Sequence, residues 1–151
     1  MIRKANIKDI KRINEIYFDG AFQEYNFQYN KKSEKEKRKY IDEEIKNHKK
    51  KIRKDLQAKK QHWVVLEING KVIGFGSAYL WSNKGVVESV YIDKNYQKKG
   101  YGTQILKYLI NWMKLKKVKH IESNILTENI PSIKLHEKLG FKPYLLRMRL
   151  R

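Results

Sequence analysis

Val86-Val87-Glu88-Ser89-Val90-Tyr91-Ile92 runs straight into Asp93-Lys94-Asn95-Tyr96-Gln97-Lys98-Lys99-Gly100-Tyr101-Gly102-Thr103. The first seven residues are mostly β-branched or aromatic, the composition of a strand. The loop ends in two glycines spaced i and i+2, and from Thr103 onward Ile105, Leu106, Leu109, Ile110, Trp112 and Met113 recur with a helical period. A further strand is expected over 120–126. Strand, loop, helix and strand in that order predict two parallel strands joined by a right-handed crossover, so the chain reads as α/β around a mixed sheet.

Working outward, residues 63–68 and 72–80 are apolar runs separated by Asn69-Gly70, a strong two-residue hairpin signal, so the strands before 86–92 are antiparallel. Residues 2–5 read as a short first strand. Asn6 with Asp9 then opens a helix carrying Ile7, Ile10, Ile13 and Ile16, predicted to end near Gly20. Ser33 with Glu36 opens a second, Lys-rich helix over 33–60 with an apolar stripe of Ile41, Ile45, Ile52 and Leu56. Unbroken, it would be about 40 Å long, and a break near Asn47 and His48 is expected. Pro131 begins a short helix ending at Gly140, and 144–150 reads as a last strand. No linker or repeat interrupts the pattern, and a single domain spans 1–151.

The chain carries 35 Lys and Arg against 16 Asp and Glu, a net charge of +19, with a sequence pI of about 10.0. Such an excess points to nucleic acid or another anionic partner. Only seven of the 35 cations are Arg, whose planar fork suits phosphate and base edges, so a general Lys bias competes with that reading and nucleic acid is not favoured. Two windows hold most of the excess: 31–60 at +8 and 97–120 at +7. No run approaches the ~20 apolar residues of a membrane span, and a soluble, cytoplasmic protein is expected. The absence of Cys excludes disulfides, thiolate metal sites and an acyl-cysteine intermediate. No metal is expected.

Two glycines ahead of a helix leave backbone N–H groups free to face an anion, and the helix dipole together with Lys98 and Lys99 adds positive potential. The loop lacks Gly-x-x-x-x-Gly-Lys-Ser/Thr and is not a Walker loop. It also lacks the third glycine of a dinucleotide fold. Short turns use Gly for steric reasons alone, so the loop by itself leaves phosphate binding and plain turn chemistry both open.

Gln97-x-x-Gly100-x-Gly102 after an apolar strand, followed about thirty residues later by Asn129-x-x-Ser132-x-x-Leu135-His136-Glu137-Lys138-Leu139-Gly140-Phe141, resembles the paired signatures of the GNAT superfamily of acetyl-coenzyme A dependent N-acetyltransferases. Val87-Glu88-Ser89 and Pro131-Ser132-Ile133-Lys134-Leu135-His136-Glu137 are most similar to its phosphinothricin acetyltransferase-like group. The resemblance covers the whole chain and implies a sheet splayed between strands 86–92 and 120–126. It also implies acetyl transfer from acetyl-coenzyme A to the primary amine of a small molecule or amino acid, in a ternary complex.

On that resemblance, Gln97, Lys98, Lys99, Gly100, Tyr101, Gly102 and Thr103 hold the pyrophosphate. Val90 and Ile92 pair with the pantetheine arm, and Asn129 and Ser132 lie toward it, although Asn129 is equally suited to capping its helix. The Val90 N–H is the oxyanion donor. Glu88, on a strand otherwise of Val, Tyr and Ile, is expected to be partly desolvated and to act as the base that takes the ammonium proton. Simple alternation would place Val87, Ser89 and Tyr91 on the opposite face from it. His136 stands where most of the superfamily has a Tyr that protonates the leaving sulfur, with Tyr101 and Tyr144 as alternatives. Tyr25, Phe27, Tyr29, Tyr79 and Trp81 are the expected acceptor walls.

The chain departs from the group in a shorter link before Glu88 and in the basic 31–60 helix, both on the acceptor side. That helix either gates an anionic acceptor or is a solvated face. Rival readings are a protein N-terminal or lysine acetyltransferase and a non-catalytic basic module binding nucleic acid or the ribosome. The last strand and the basic helix are the surfaces on which a homodimer would form.

Overall fold

The computed structural model describes residues 1–29, 33–148 and 150, with the side chains of 21–29 and 34 outside the described set. In chain order the elements are β1 (Ile2–Lys4), α1 (Ile10–Tyr29), α2 (Glu34–Asp55), β2 (Gln61–Ile68), β3 (Lys71–Trp81), β4 (Lys84–Ile92), α3 (Tyr101–Leu115), β5 (His120–Ser123) and α4 (Ile130–Glu137). The five strands form one sheet in sequence order. All neighbours are antiparallel except β4 and β5, which are parallel and joined through α3, the crossover read from sequence.

Local chemistry sets the boundaries. Asn69 and Gly70 both have positive φ, 49° and 75°, as a type I′ hairpin turn requires. Both capping boxes form: Asn6 with Asp9 ahead of a 3-10 turn, and Ser33 with Glu36 at the start of α2. The two sheet faces are buried separately. Ile10, Ile13, Ile16 and Ile52 of α1 and α2 pack on Trp63, Val65 and Phe75. Ile105, Leu106, Leu109 and Met113 of α3 pack on Val64, Leu66, Ala78 and Val87.

Five expectations are corrected. Helix α1 does not stop at Gly20 but continues to Tyr29, because Gly20 serves a close approach: a Cβ there would lie 2.5 Å from a ring carbon of Tyr91. The stretch around Tyr25, Phe27 and Tyr29 is therefore helical in backbone. Helix α2 is unbroken at Asn47 and His48, since His48 is buried against the sheet, and it ends at Asp55 rather than residue 60. Strand β5 stops at Ser123, and residues 144–148 form no strand. Tyr144, Leu145, Leu146 and Met148 are exposed with no neighbouring strand among the described residues.

Candidate active site

Two irregularities in β4 build the site. Ser77 of β3 pairs with Ser89, but Ala78 pairs with Val87, which leaves Glu88 as the extra residue of a β-bulge. Alternation therefore breaks at this point. Val87 packs on the α3 side, while Glu88, Ser89 and Tyr91 all line one cleft on the α1 and α2 side. This overturns the expectation that Ser89 and Tyr91 face away from Glu88. Second, β5 pairs only with residues 84–87 of β4. From Glu88 onward the strands part, and that edge of β4 has no β5 partner.

The cleft has a volume of about 410 Å³ and is walled by Tyr17, His48, Trp63 and Tyr91, with Glu44, Asn47, Lys51, Glu88 and Ser89. The Glu88 side chain is 28% exposed. It is held by ionic and polar partners rather than by the apolar neighbours expected of it. The Lys51 Nζ lies 3.0 Å from its Oε1 and 3.1 Å from its Oε2, and the Ser77 hydroxyl donates to Oε2 at 3.3 Å. Lys51 also pairs with Asp55, one helical turn on, and lies 5.4 Å above the Trp63 ring. The Trp63 Nε1–H donates to Asp55 at 3.3 Å. Burial opposes the charge on Lys51, but its hydrogen bonds to Asp55 and Glu88 outweigh this and hold the ammonium above its ordinary pKa. His48 donates from Nδ1 to Asn14 Oδ1 at 2.8 Å and stacks on Tyr17, with ring centroids 3.8 Å apart. Its pKa is pushed down to about 4, chiefly by burial and then by Lys51, so the ring is neutral.

Tyr79 and Trp81 do not line this cleft. It sits over the Ser77–Ser89 pair, whereas Tyr79 and Trp81 lie two and four residues nearer the β3–β4 turn, where Trp81 is 70% exposed. The side chains of Tyr25, Phe27 and Tyr29 fall outside the described residues. Sequence reasoning missed Glu44, His48 and Lys51 in the lining, and Asp55 behind Lys51. A signal was present: their offsets of 4, 3 and 4 mark a polar helical stripe beside the apolar one.

On the other side of β4, Gly100 takes φ 80° as the N-cap of α3, makes no side-chain cap and leaves the first helical N–H groups without intrahelical partners. Gln97 donates to the Ile92 carbonyl at 3.1 Å. A Cβ on Gly102 would lie 3.0 Å from Leu135, with Ile92 and Val90 next, so that glycine seats α4 beside the free edge of β4. Lys98 and Lys99 are exposed, and Lys99 lies 5.7 Å over the Tyr96 ring. Asn129 caps α4 by accepting from the Ser132 N–H at 3.2 Å. His136 is buried, and its Nδ1–H donates to the Ser132 carbonyl at 2.8 Å. Burial lowers its pKa despite that bond, so the ring is neutral and its unpartnered, buried Nε2 accepts rather than donates. This differs from the ready proton donor expected from an ordinary imidazole.

The family model described as the acetyltransferase (GNAT) family matches residues 11–141. The chain is 31% identical over 84 residues to the phosphinothricin N-acetyltransferase of Streptomyces viridochromogenes, covering 52% of this chain and 46% of that protein. It is 35% identical over 97 residues to the probable spermine N(1)-acetyltransferase of Bacillus subtilis subsp. natto, covering 56% and 64%. The alignments thus span about half to two thirds of these relatives. The PaiA N-acetyltransferase of Thermoplasma acidophilum, solved in complex with coenzyme A, has the same fold, with a TM-score of 0.80 at 21% identity over 94% of this chain and 89% of that one.

Acetyl-coenzyme A is the co-substrate of this family, and the features on the α3 side of β4 fit it. The free edge of β4 can pair with the amides of the pantetheine arm. The uncapped N-terminus of α3 beside Lys98 and Lys99 suits a pyrophosphate. The unpartnered Nε2 of His136 is a buried polar atom in want of a donor. By its family model, which spans most of its length, and by its fold, the chain belongs to the GNAT acetyltransferase family.

Proposed function

We propose that the protein transfers the acetyl group of acetyl-coenzyme A directly to the primary amine of a small cationic acceptor. The observation that carries this reading is the bulge, which turns Glu88 and Ser89 into an aromatic cleft at the point where β4 loses its β5 partner. Acetyl donor and amine can thus meet across a single strand. Acetyl-coenzyme A supplies the thioester, and Gln97, Lys98, Lys99 and the turn through Gly100 to Thr103 hold its phosphates. The backbone N–H of Val90, two residues past the bulge, stabilises the oxyanion. Glu88 accepts the ammonium proton and so frees the lone pair of the amine. His136 receives a hydrogen bond through Nε2, and the second proton of the amine reaches the departing sulfur through water.

The polarity of the cleft favours a cation. Glu44 and Glu88 line it, Asp55 stands behind them, and Lys51 is the only cation in the lining among the described residues. The basic face of α2, including Lys46, Lys50 and Lys54, points to solvent. The helix thus presents carboxylates to the acceptor, which goes against its gating an anionic one. Of the two named relatives, one is named for phosphinothricin and one for spermine, and the carboxylate-lined cleft favours an amine-rich acceptor of the second kind.

A screen of mono-, di- and polyamines against amino acids, followed by released thiol, tests the reading in a protein without Cys of its own. Glu88→Gln should lower kcat by about 100-fold, the usual share of a general base, with coenzyme affinity by calorimetry nearly unchanged. Turnover equal to wild type would remove Glu88 from the role. Absence of saturable acetyl-coenzyme A binding at any ionic strength would remove the enzymatic reading altogether.

A further inference from the structure

The chain's own Lys51 sits where the proposed acceptor's ammonium should sit. Its Nζ is 3.0 Å and 3.1 Å from the two oxygens of Glu88, and the side chain lines the cleft beside Ser89. The hold is geometric rather than incidental. Asp55 anchors the same ammonium from one turn along α2, the Trp63 ring lies beneath it, and Trp63 in turn donates to Asp55. The other cations of this stretch of α2 face away, with Lys50, Arg53 and Lys54 exposed to solvent.

We propose that Lys51 is an intramolecular acceptor, acetylated on Nζ by the site it lines. The inference rests on the acetyl-transfer reading above. In the step, Glu88 takes one proton from the Lys51 ammonium. The Nζ–C bond then forms as the C–S bond of the thioester breaks. The sulfur leaves as the coenzyme A thiol with the second proton, and the proton on Glu88 passes to water. Overall, a thioester and an ammonium give an acetyl-lysine, a thiol and a proton. The product is a neutral amide that no longer pairs with Glu88, so modification opens the carboxylate to an external ammonium.

The test is site-resolved mass spectrometry after incubation of the whole protein with acetyl-coenzyme A. Lys51 should gain one acetyl group about 10-fold faster than Lys50 and Lys54, because a nucleophile held in place needs no encounter. The rate should not change with protein concentration, should fall in Glu88→Gln and should fall when a turning-over amine competes. Lys51 reacting no faster than Lys50 and Lys54 while a small amine is acetylated would overturn this inference alone. Failure of both reactions would overturn the reading beneath it as well. A second readout needs no coenzyme. Lys51→Gln, which ends in a neutral amide, should bind a primary alkylamine several-fold more tightly than wild type by calorimetry, and equal or weaker binding would show that Lys51 does not occupy the acceptor's place.

Discussion

His48 lies at the junction of the core and the cleft, and its ionisation couples stability to pH. Burial is the main cause of its depressed pKa of about 4, Lys51 depresses it further, and Asp55 opposes both. An unfolded imidazole titrates near 6.5, so between the two values the unfolded chain binds the extra proton and the native one does not. The stabilisation from a neutral His48 is therefore complete above about pH 6.5 and lost as pH falls toward 4, at most about 3 kcal/mol. Urea midpoints should drop across that window, before two lowered carboxylates begin to protonate: Asp9, held down by Arg3, and Asp93, held down against burial by the Asn95 N–H and then Arg12. In His48→Gln the drop should be visibly shallower, although the variant is less stable at pH 7, and an equally steep drop would assign the effect elsewhere. The places of Glu88 on β4 and of the glycines ahead of α3 were legible in the sequence because each follows from position along the chain. Lys51, Glu44 and Tyr17 were not, since each reaches the cleft only through the way a helix is rolled against the sheet.

Single residues also decide how the elements meet, and Gly20 does so for α1. Read as a helix terminator, it is a mid-helix position over which the Tyr91 ring lies, and Tyr91 is a wall of the cleft. Two effects of Gly20→Ala oppose each other. Helix propensity favours Ala by about 1 kcal/mol, whereas a methyl 2.5 Å from a ring carbon must push Tyr91 aside, an overpacking cost of about 1–3 kcal/mol. The net expectation is a modest loss of stability by urea unfolding, with a raised KM for the amine and little change in that for acetyl-coenzyme A. A stabilised variant with unchanged KM would show that the ring yields at no cost. The same limit explains which elements were readable. The hairpin, the crossover and both capping boxes are written in local residues. The bulge at Glu88 is a mismatch between two strands, and the end of β5 depends on the partner it loses, so neither has a local signature. The alternating apolar residues of 144–150 carry strand character without a strand to pair with.

Across the whole molecule the charge of +19 divides by distance rather than by sequence window. The acid-free stretch 97–120 seemed to gather its cations around the cofactor loop, but α3 is about 22 Å long at 1.5 Å per residue. Lys98 and Lys99 stand at its N-terminal end with the Gly100 turn, while Lys114, Lys116 and Lys117 stand at the other end, two Debye lengths away at 0.1 M salt. The near pair is placed to act on a pyrophosphate bound at that end, and the far three are not. Replacing both Lys98 and Lys99 by Ala should weaken acetyl-coenzyme A about 3- to 10-fold at 0.1 M salt, the worth of exposed charge pairs, and flatten the dependence of Kd on ionic strength. Replacing Lys114, Lys116 and Lys117 by Gln removes more charge yet should leave Kd within about 2-fold, because screening has erased their field at the loop. Calorimetry at two salt concentrations separates the cases. Equal losses in the two triple- and double-substituted proteins would mean that the coenzyme responds to net charge, and the specific role given to the loop would then fall.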